Sequence, residues 1–248
     1  MKSFREFVRS AASKPRGIFV LNHCPFMQEA LVTTALDFVV IDVEASPFER
    51  RELLFALQAL KSSELEILVR VKNKTFSDIE QVLDLGVFTL VVPKVNTAAE
   101  TKDLVNACYF PPLGRRGLNP VRSSRYFEEV GAYVAAHNND MTLLVQIETK
   151  EGLLNVDSIV AQEGVHGVFV GLGDLALALE VPLQIDHQRV TDALVRIKHS
   201  CAKHGKLCGS FAPTLQFTHK LEQELGYDFV ATGNDILWLK RGLAQLTA

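Results

Sequence analysis

Eight short apolar runs, each followed by a stretch of helical periodicity, constrain this chain more than any other feature. They read GIFVL, DFVVI, EILVRV, FTLVV, LLVQI, GVFVG, KLCGSF and DFVAT. Several are nearly continuous in apolar character, as strands buried on both faces must be. Strand and helix alternate along the chain, so each crossover helix returns the backbone to begin a parallel neighbour. Eight such units predict one closed (β/α)8 barrel of TIM type. The segment SFREFVRSAAS, before the first run, predicts an extra N-terminal helix that stops at Pro15. No linker, low-complexity tract or composition change interrupts the rhythm, so residues 1–248 are expected to form one domain.

Local signals mark several helix ends. Ser46 is placed as the cap of the helix after the second strand, with Pro47 at its first position. Thr75 is placed as a cap, and Gly86 as a stop. The stretch PPLGRRGLNPVRSSRYF, residues 111–127, is too long and too rich in Pro, Gly and Arg for a plain connector. Such a stretch is expected to be a functional loop.

Composition removes several classes of function. A net charge of −3, with no basic block, argues against nucleic-acid binding. No apolar run approaches the length of a membrane span. The first residues lack the apolar core of a secretory signal. Cys24, Cys108, Cys201 and Cys208 form no CxxC pair and suit the reduced thiols of a cytoplasmic enzyme. His199, Cys201, His204 and Cys208 have a zinc-like composition, but their spacing follows no usual ligand pattern. GLGDLA lacks the last glycine of a dinucleotide fingerprint.

The chemistry concentrates between Leu143 and Leu179. LLVQI is followed by Glu148 and GVFVG by Asp174, about one strand–helix unit apart. Both carboxylates then emerge at the C-terminal strand ends, where barrel enzymes place their sites. With Gly171 and Gly173 keeping the backbone close, two such acids suit a hard divalent cation with open positions. The same acids also suit plainer roles, Asp174 as a helix N-cap and Glu148 as a solvated first-turn acid.

Other polar residues follow the remaining strands. Asn22 and His23 come after the first, Asp42 and Glu44 after the second, and Lys94 after the fourth. Ser210 follows the seventh strand, and Asn234 with Asp235 the eighth. Arg70 stands inside the apolar run EILVRV, and a buried guanidinium needs an anionic partner. It is expected either to tie strands together through Asp42 or Glu44, or to bind a carboxylate or developing enolate beside a metal.

The stretches DFVVIDVEASP, ILVRVK, LDLGVFTLVVPKV, YFPPLGRRG, LLVQIETKEG, GVFVGLGDLALAL and HGKLCGSF resemble the HpcH/HpaI aldolase family. These are metal-dependent 2-oxo-acid aldolases related to citrate lyase β subunits. The likeness runs through nearly the whole chain, in order. It implies a (β/α)8 barrel and a Mg2+ or Mn2+ ion held by Glu148 and Asp174. It implies Arg70 as the enolate-stabilising group, and the backbone around Gly171, Gly173 and Asp174 as the contact for the substrate carboxylate. It further implies a homo-oligomer, a trimer of dimers, in which the last helix, DILWLKRGLAQL, packs on a neighbour.

Two departures bear on the reaction. Asp42, Val43, Glu44 and Ala45 stand where the family reads Asp-Gly-Glu-His, so Ala45 replaces the general base. Asp84, the usual partner of that histidine, remains. Gly171 to Ala176 also differs from the family's Gly-Pro-Ala-Asp-Leu-Ser. Loss of a general base typically costs about 10²–10⁴ in rate. His23, at the end of the neighbouring strand, is the candidate replacement, or else it only caps the next helix. Candidate catalytic residues are therefore Arg70, Glu44, Asp84 and His23. The expected activity is carbon–carbon lyase or aldolase chemistry on pyruvate or oxaloacetate. The alternatives are condensation of oxaloacetate with acetyl-CoA to citrate, as in siderophore assembly, and a non-catalytic 2-oxo-acid binder.

Overall fold

The computed structural model describes residues 2–246. In chain order the elements are α1 (Phe4–Ser10), β1 (Arg16–Val20), α2 (Pro25–Leu31), β2 (Phe38–Asp42), α3 (Arg50–Ala59), β3 (Glu66–Arg70), α4 (Phe76–Leu83) and β4 (Thr89–Val92). There follow α5 (Ala98–Cys108), α6 (Val130–Asp140), β5 (Thr142–Ile147), α7 (Lys150–Val160), β6 (Gly167–Val170) and α8 (Leu172–Ala178). The chain continues through α9 (Gln188–Lys203), β7 (Leu207–Ala212), α10 (Leu215–His219) with a π-helical turn at Lys220–Glu224, β8 (Phe229–Asn234) and α11 (Asp235–Ala244).

The eight expected strands pair in parallel, each with the next, and β8 pairs with β1 to close the barrel. Alternate residues serve two cores, as the period of a strand requires. Phe38 and Val40 of β2 point inward with Phe19, Leu68, Phe169 and Phe229. Val39 and Ile41 point outward against the helix layer that includes Leu53 and Leu57. Small residues make room for the inward rings: a Cβ on Gly209 would fall on the ring of Phe229.

The extra N-terminal helix is present and seals the N-terminal end of the barrel. Phe4 meets the rings of Phe38 and Phe229 edge-on at 5.7 and 5.1 Å, and both rings sit on the first residues of their strands. The other end is left open to the loops, which is where side chains after the strands collect.

Two helix starts differ from the sequence expectation. Helix α3 begins at Arg50 with Glu49 as its N-cap, not at Ser46 and Pro47. The Ser46 hydroxyl is spent on the Asp42 carbonyl, and the Asp42 carboxylate accepts the N–H groups of Glu44 and Ala45. The chain after β2 is thus wound around Asp42 before a helix can start. Helix α8 begins at Leu172 with Gly171 at the cap position, which puts Asp174 within its first turn rather than at its cap. Thr75 does cap α4, accepting the Asp78 N–H at 3.2 Å, and Gly86 adopts a φ of +83° just past that helix.

Residues 111–127 form a series of turns between α5 and α6, with no strand or helix. Gly117 N–H binds Glu80 and the Arg122 guanidinium binds the Leu85 carbonyl. These ties hold the stretch against the end of α4, at the opposite end of the barrel from the mouth. The four cysteines are free thiols. Among the described residues no helix is long and apolar enough to cross a membrane.

Candidate active site

The site is built from the ends of β2 to β6. Strand register sets Asp42 beside Arg70 on neighbouring strands. Their side chains meet as a fork: Arg70 Nε donates to Asp42 Oδ1 at 2.9 Å and Nη2 to Oδ2 at 2.6 Å. Nη1 lies 3.1 Å from Glu44 Oε2, and the guanidinium carbon lies 5.1 Å from the Phe19 ring centre. The tie between strands expected of Arg70 therefore exists. Two of its five N–H groups donate hydrogen bonds to Asp42 and Nη1 makes an ion pair with Glu44, which leaves N–H groups for another anion. Burial works against the charge of Arg70, but its hydrogen bonds to Asp42 and the charges of Asp42, Glu44 and Glu148 outweigh it and raise its pKa.

Glu148, 2% exposed, is not a solvated acid. Its Oε1 accepts the Lys94 N–H at 2.8 Å, and its Oε2 accepts the side-chain amide of Gln146. Register places Ile147 beside Val170, so Gly171 follows directly alongside Glu148. A Cβ on Gly171 would run into Glu148 Oε2 and the Gln146 amide. Burial pushes the Glu148 carboxyl up to about 7, with the charges of Glu44 and Asp174 adding to the effect. Asp174 itself is exposed on the first turn of α8.

Lys94 completes the group. Its ammonium donates to Glu44 Oε1 at 2.8 Å. Four carboxylates, Asp42, Glu44, Glu148 and Asp174, thus face two cations, Arg70 and Lys94. The imbalance favours one divalent cation, and Glu148 and Asp174 offer the hard oxygen donors it prefers. Gln146 Oε1 is buried with no hydrogen-bond donor, a further oxygen open to a water or an ion. Among the described residues no three His, Cys, Asp or Glu side chains close into a ready cage. Two carboxylates with open positions are a different arrangement, one that leaves room for substrate. Gln146 was not singled out from the sequence. Its signal is an amide inside the apolar run LLVQI.

Other expected residues lie elsewhere or do structural work. Asp84 caps the end of α4, at the N-terminal end of the barrel, and pairs with the buried Arg116 at 3.1 Å. Within one chain it is not brought to the mouth, because α4 runs back from β3 and carries its last residues away. His23 is exposed at the mouth after β1; its ring meets Phe48 edge-on at 6.3 Å and makes no hydrogen bond among the described residues. Ala45 is exposed beside Glu44 and offers no proton-transfer group. Ser210 spends its hydroxyl on the Val170 and Phe211 carbonyls. Asn234 caps α11, and Asp235 accepts the Leu21 and Asn22 N–H groups, stitching β8 to β1.

A parallel barrel with its ionisable groups gathered at the C-terminal mouth is the frame of an enzyme. The chain belongs to the HpcH/HpaI aldolase/citrate lyase family, whose model matches residues 16–239. It is therefore an enzyme of the carbon–carbon lyase and aldolase class. A 5-keto-4-deoxy-D-glucarate aldolase of Klebsiella pneumoniae subsp. pneumoniae is 37% identical over 212 residues, which are 86% of this chain and 82% of that protein. The crystal structure of an HpcH/HpaI aldolase/citrate lyase family protein from Burkholderia cenocepacia J2315 superposes with a TM-score of 0.90 at 27% identity, covering 100% of this chain and 98% of that one. The citrate synthase SbnG superposes at 0.88 with 26% identity, covering 99% of this chain and 96% of that one.

Proposed function

We propose that this enzyme breaks and forms a carbon–carbon bond next to a small 2-oxo acid, pyruvate or oxaloacetate, through an enolate. A Mg2+ or Mn2+ ion held by Glu148 and Asp174 assists. The observation that carries this reading is Arg70, fixed by two hydrogen bonds to Asp42 and an ion pair with Glu44, with N–H groups to spare and within reach of the charge of the buried Glu148. When bound, the cation supplies Lewis acidity to the oxygens of the keto acid. Arg70 holds N–H donors ready for the negative charge that develops on the enolate oxygen, with no reorganisation needed at that moment. The first turn of α8 offers the N–H groups of Gly173 and Asp174 to the substrate carboxylate, while the Gly171 N–H donates to the Ile147 carbonyl at 3.2 Å and shapes the backbone there. Around Gly173 there is open space, with no atom within 4 Å of an added Cβ. Glu44 steadies Arg70 and Lys94.

Ala45 leaves the proton-transfer step to another group, and His23 is our candidate because its ring is unbonded at the mouth. Unchanged turnover in His23→Ala removes it from the mechanism. Asp84 takes part only if it is supplied by a neighbouring copy. The free thiols suit a reducing compartment such as the cytoplasm.

A second reading is condensation of acetyl-CoA with oxaloacetate, supported by the missing imidazole at Ala45 and by the likeness to the citrate synthase SbnG. One paired assay separates the two. Metal-stripped protein is reloaded with Mn2+ and given pyruvate plus an aldehyde, and in parallel oxaloacetate plus acetyl-CoA. An aldol product supports the first reading; citrate and free CoA support the second. Oxalate binding without turnover in either mixture overturns both.

A further inference from the structure

Lys94 hydrogen-bonds to acids on two sides of the mouth. Its backbone N–H donates to Glu148 Oε1, and its ammonium donates to Glu44 Oε1, each at 2.8 Å. It does so with a φ of +55°, a left-handed backbone that residues bearing a side chain rarely adopt. Such outliers persist only where the surroundings hold them. Here the Glu148 bond and the neighbouring Val95 N–H, which donates to the Gln146 carbonyl at 3.2 Å, do so.

We propose that the Lys94 ammonium is a built-in rival of the divalent cation. It offsets part of the acid cluster while no metal is bound, and it weakens the hold on metal when one arrives. The inference rests on the metal reading given above. The electrostatic argument is direct. The ammonium sits 2.8 Å from one Glu44 oxygen, and the residue's backbone N–H is bound by Glu148 at the same distance, so the charge lies at the edge of the acid cluster. The field that favours one ammonium is the field a dication would occupy, and two cations in it repel each other. Coupling of this kind is reciprocal. The Lys94 backbone is pinned by Glu148, so the residue does not leave as a whole. Its side chain is 61% exposed on a flexible stem, which allows the ammonium to swing into water when metal binds. A purely organising role, in which Lys94 holds Glu44 in place for the ion, predicts the opposite sign on its removal.

Mn2+ titration of metal-stripped protein, followed by the electron paramagnetic resonance signal of the free ion, decides between them without any turnover. Lys94→Met is expected to bind Mn2+ about tenfold more tightly than the unaltered chain, with Lys94→Gln as a second neutral variant. Lys94→Arg, which keeps the charge, is expected to stay within about twofold. Metal-free Lys94→Met is also expected to melt at a lower temperature than the unaltered protein, with the gap closing once Mn2+ is added. Equal or weaker Mn2+ binding by both neutral variants overturns the inference. Glu148→Gln reports on the metal reading separately. If the unaltered chain binds Mn2+ and Glu148→Gln does not, that reading stands whatever Lys94 does. If neither the unaltered chain nor the Lys94 variants bind, both fall.

Discussion

Arg70 and Asp42 form a pair that neither residue can leave cheaply. Asp42 is 1% exposed, and the fork from Arg70 supplies both of its carboxylate oxygens with a charged hydrogen-bond donor. Arg70→Met strands a buried carboxylate, and breaking such a pair is expected to cost about 3 kcal/mol in a urea unfolding curve. Arg70→Lys keeps the charge but loses the planar fork. Its unfolding curve should shift less, while turnover falls about 10²-fold through loss of the oriented donor. Glu148 carries a prediction of opposite character. Its folded pKa, about 7, lies above the ordinary carboxylate value, first through burial and then through Glu44 and Asp174. The folded metal-free protein therefore holds that proton more tightly than the unfolded chain. The stability associated with it is complete below the unfolded pKa and is lost as pH rises through about 7. Urea melts in EDTA between pH 5 and 8 should show the decline, and Glu148→Gln should flatten it. Both residues were legible in the sequence for one reason: a charged group adjoining an apolar run must find partners. Gln146 was not, because a neutral amide in a strand carries no comparable penalty until its unpaired oxygen is seen. Nor was the left-handed backbone of Lys94, since nothing in VVPKVN demands it.

At the level of elements, the barrel was legible because the apolar runs and helical stretches alternate without a break, whereas helix starts were read less well. A threonine that opens a helix is a local signal, and Thr75, Thr97, Thr149 and Thr214 all accept an N–H from the first turn. Ser46 looks the same in sequence. Its hydroxyl is diverted by Asp42, whose role depends on Arg70, a residue far along the chain. Local pattern cannot report a contact of that range. Thr149 offers a test of what such a cap does for the site. It directly follows Glu148, accepts the Gly152 N–H at 2.9 Å and donates to Asn96 Oδ1 at 2.6 Å. Thr149→Ala should cost about 1 kcal/mol of unfolding free energy through loss of the cap. Because the cap also anchors the residue after Glu148, its Mn2+ affinity should fall while Thr214→Ala, on another unit, leaves Mn2+ affinity unchanged.

For the whole molecule, the outstanding feature is α11. Its first turn is bound tightly: Asp235 holds the start of the loop after β1, and the Trp238 indole donates to the Thr232 carbonyl at 2.8 Å. Yet none of its residues is fully buried. Ile236, Leu239 and Leu243 are 42, 50 and 54% exposed, and their spacing puts them on one helix face. An apolar stripe on a helix is normally turned toward a core. Here Trp238 packs against the core while Ile236, Leu239 and Leu243 do not, so the stripe is available to a second copy, in line with the oligomer expected from the family resemblance. The consequence is measurable. Light scattering after gel filtration should give a mass that is a multiple of one chain. Leu239→Glu with Leu243→Glu should reduce it, because each glutamate would otherwise be buried without a partner. Far-ultraviolet circular dichroism should not change, since neither leucine contributes to the barrel core. A monomeric mass for the unaltered chain at micromolar concentration would remove the proposed role of α11. It would also leave Asp84, at the far end of its own barrel, with no route to any active site.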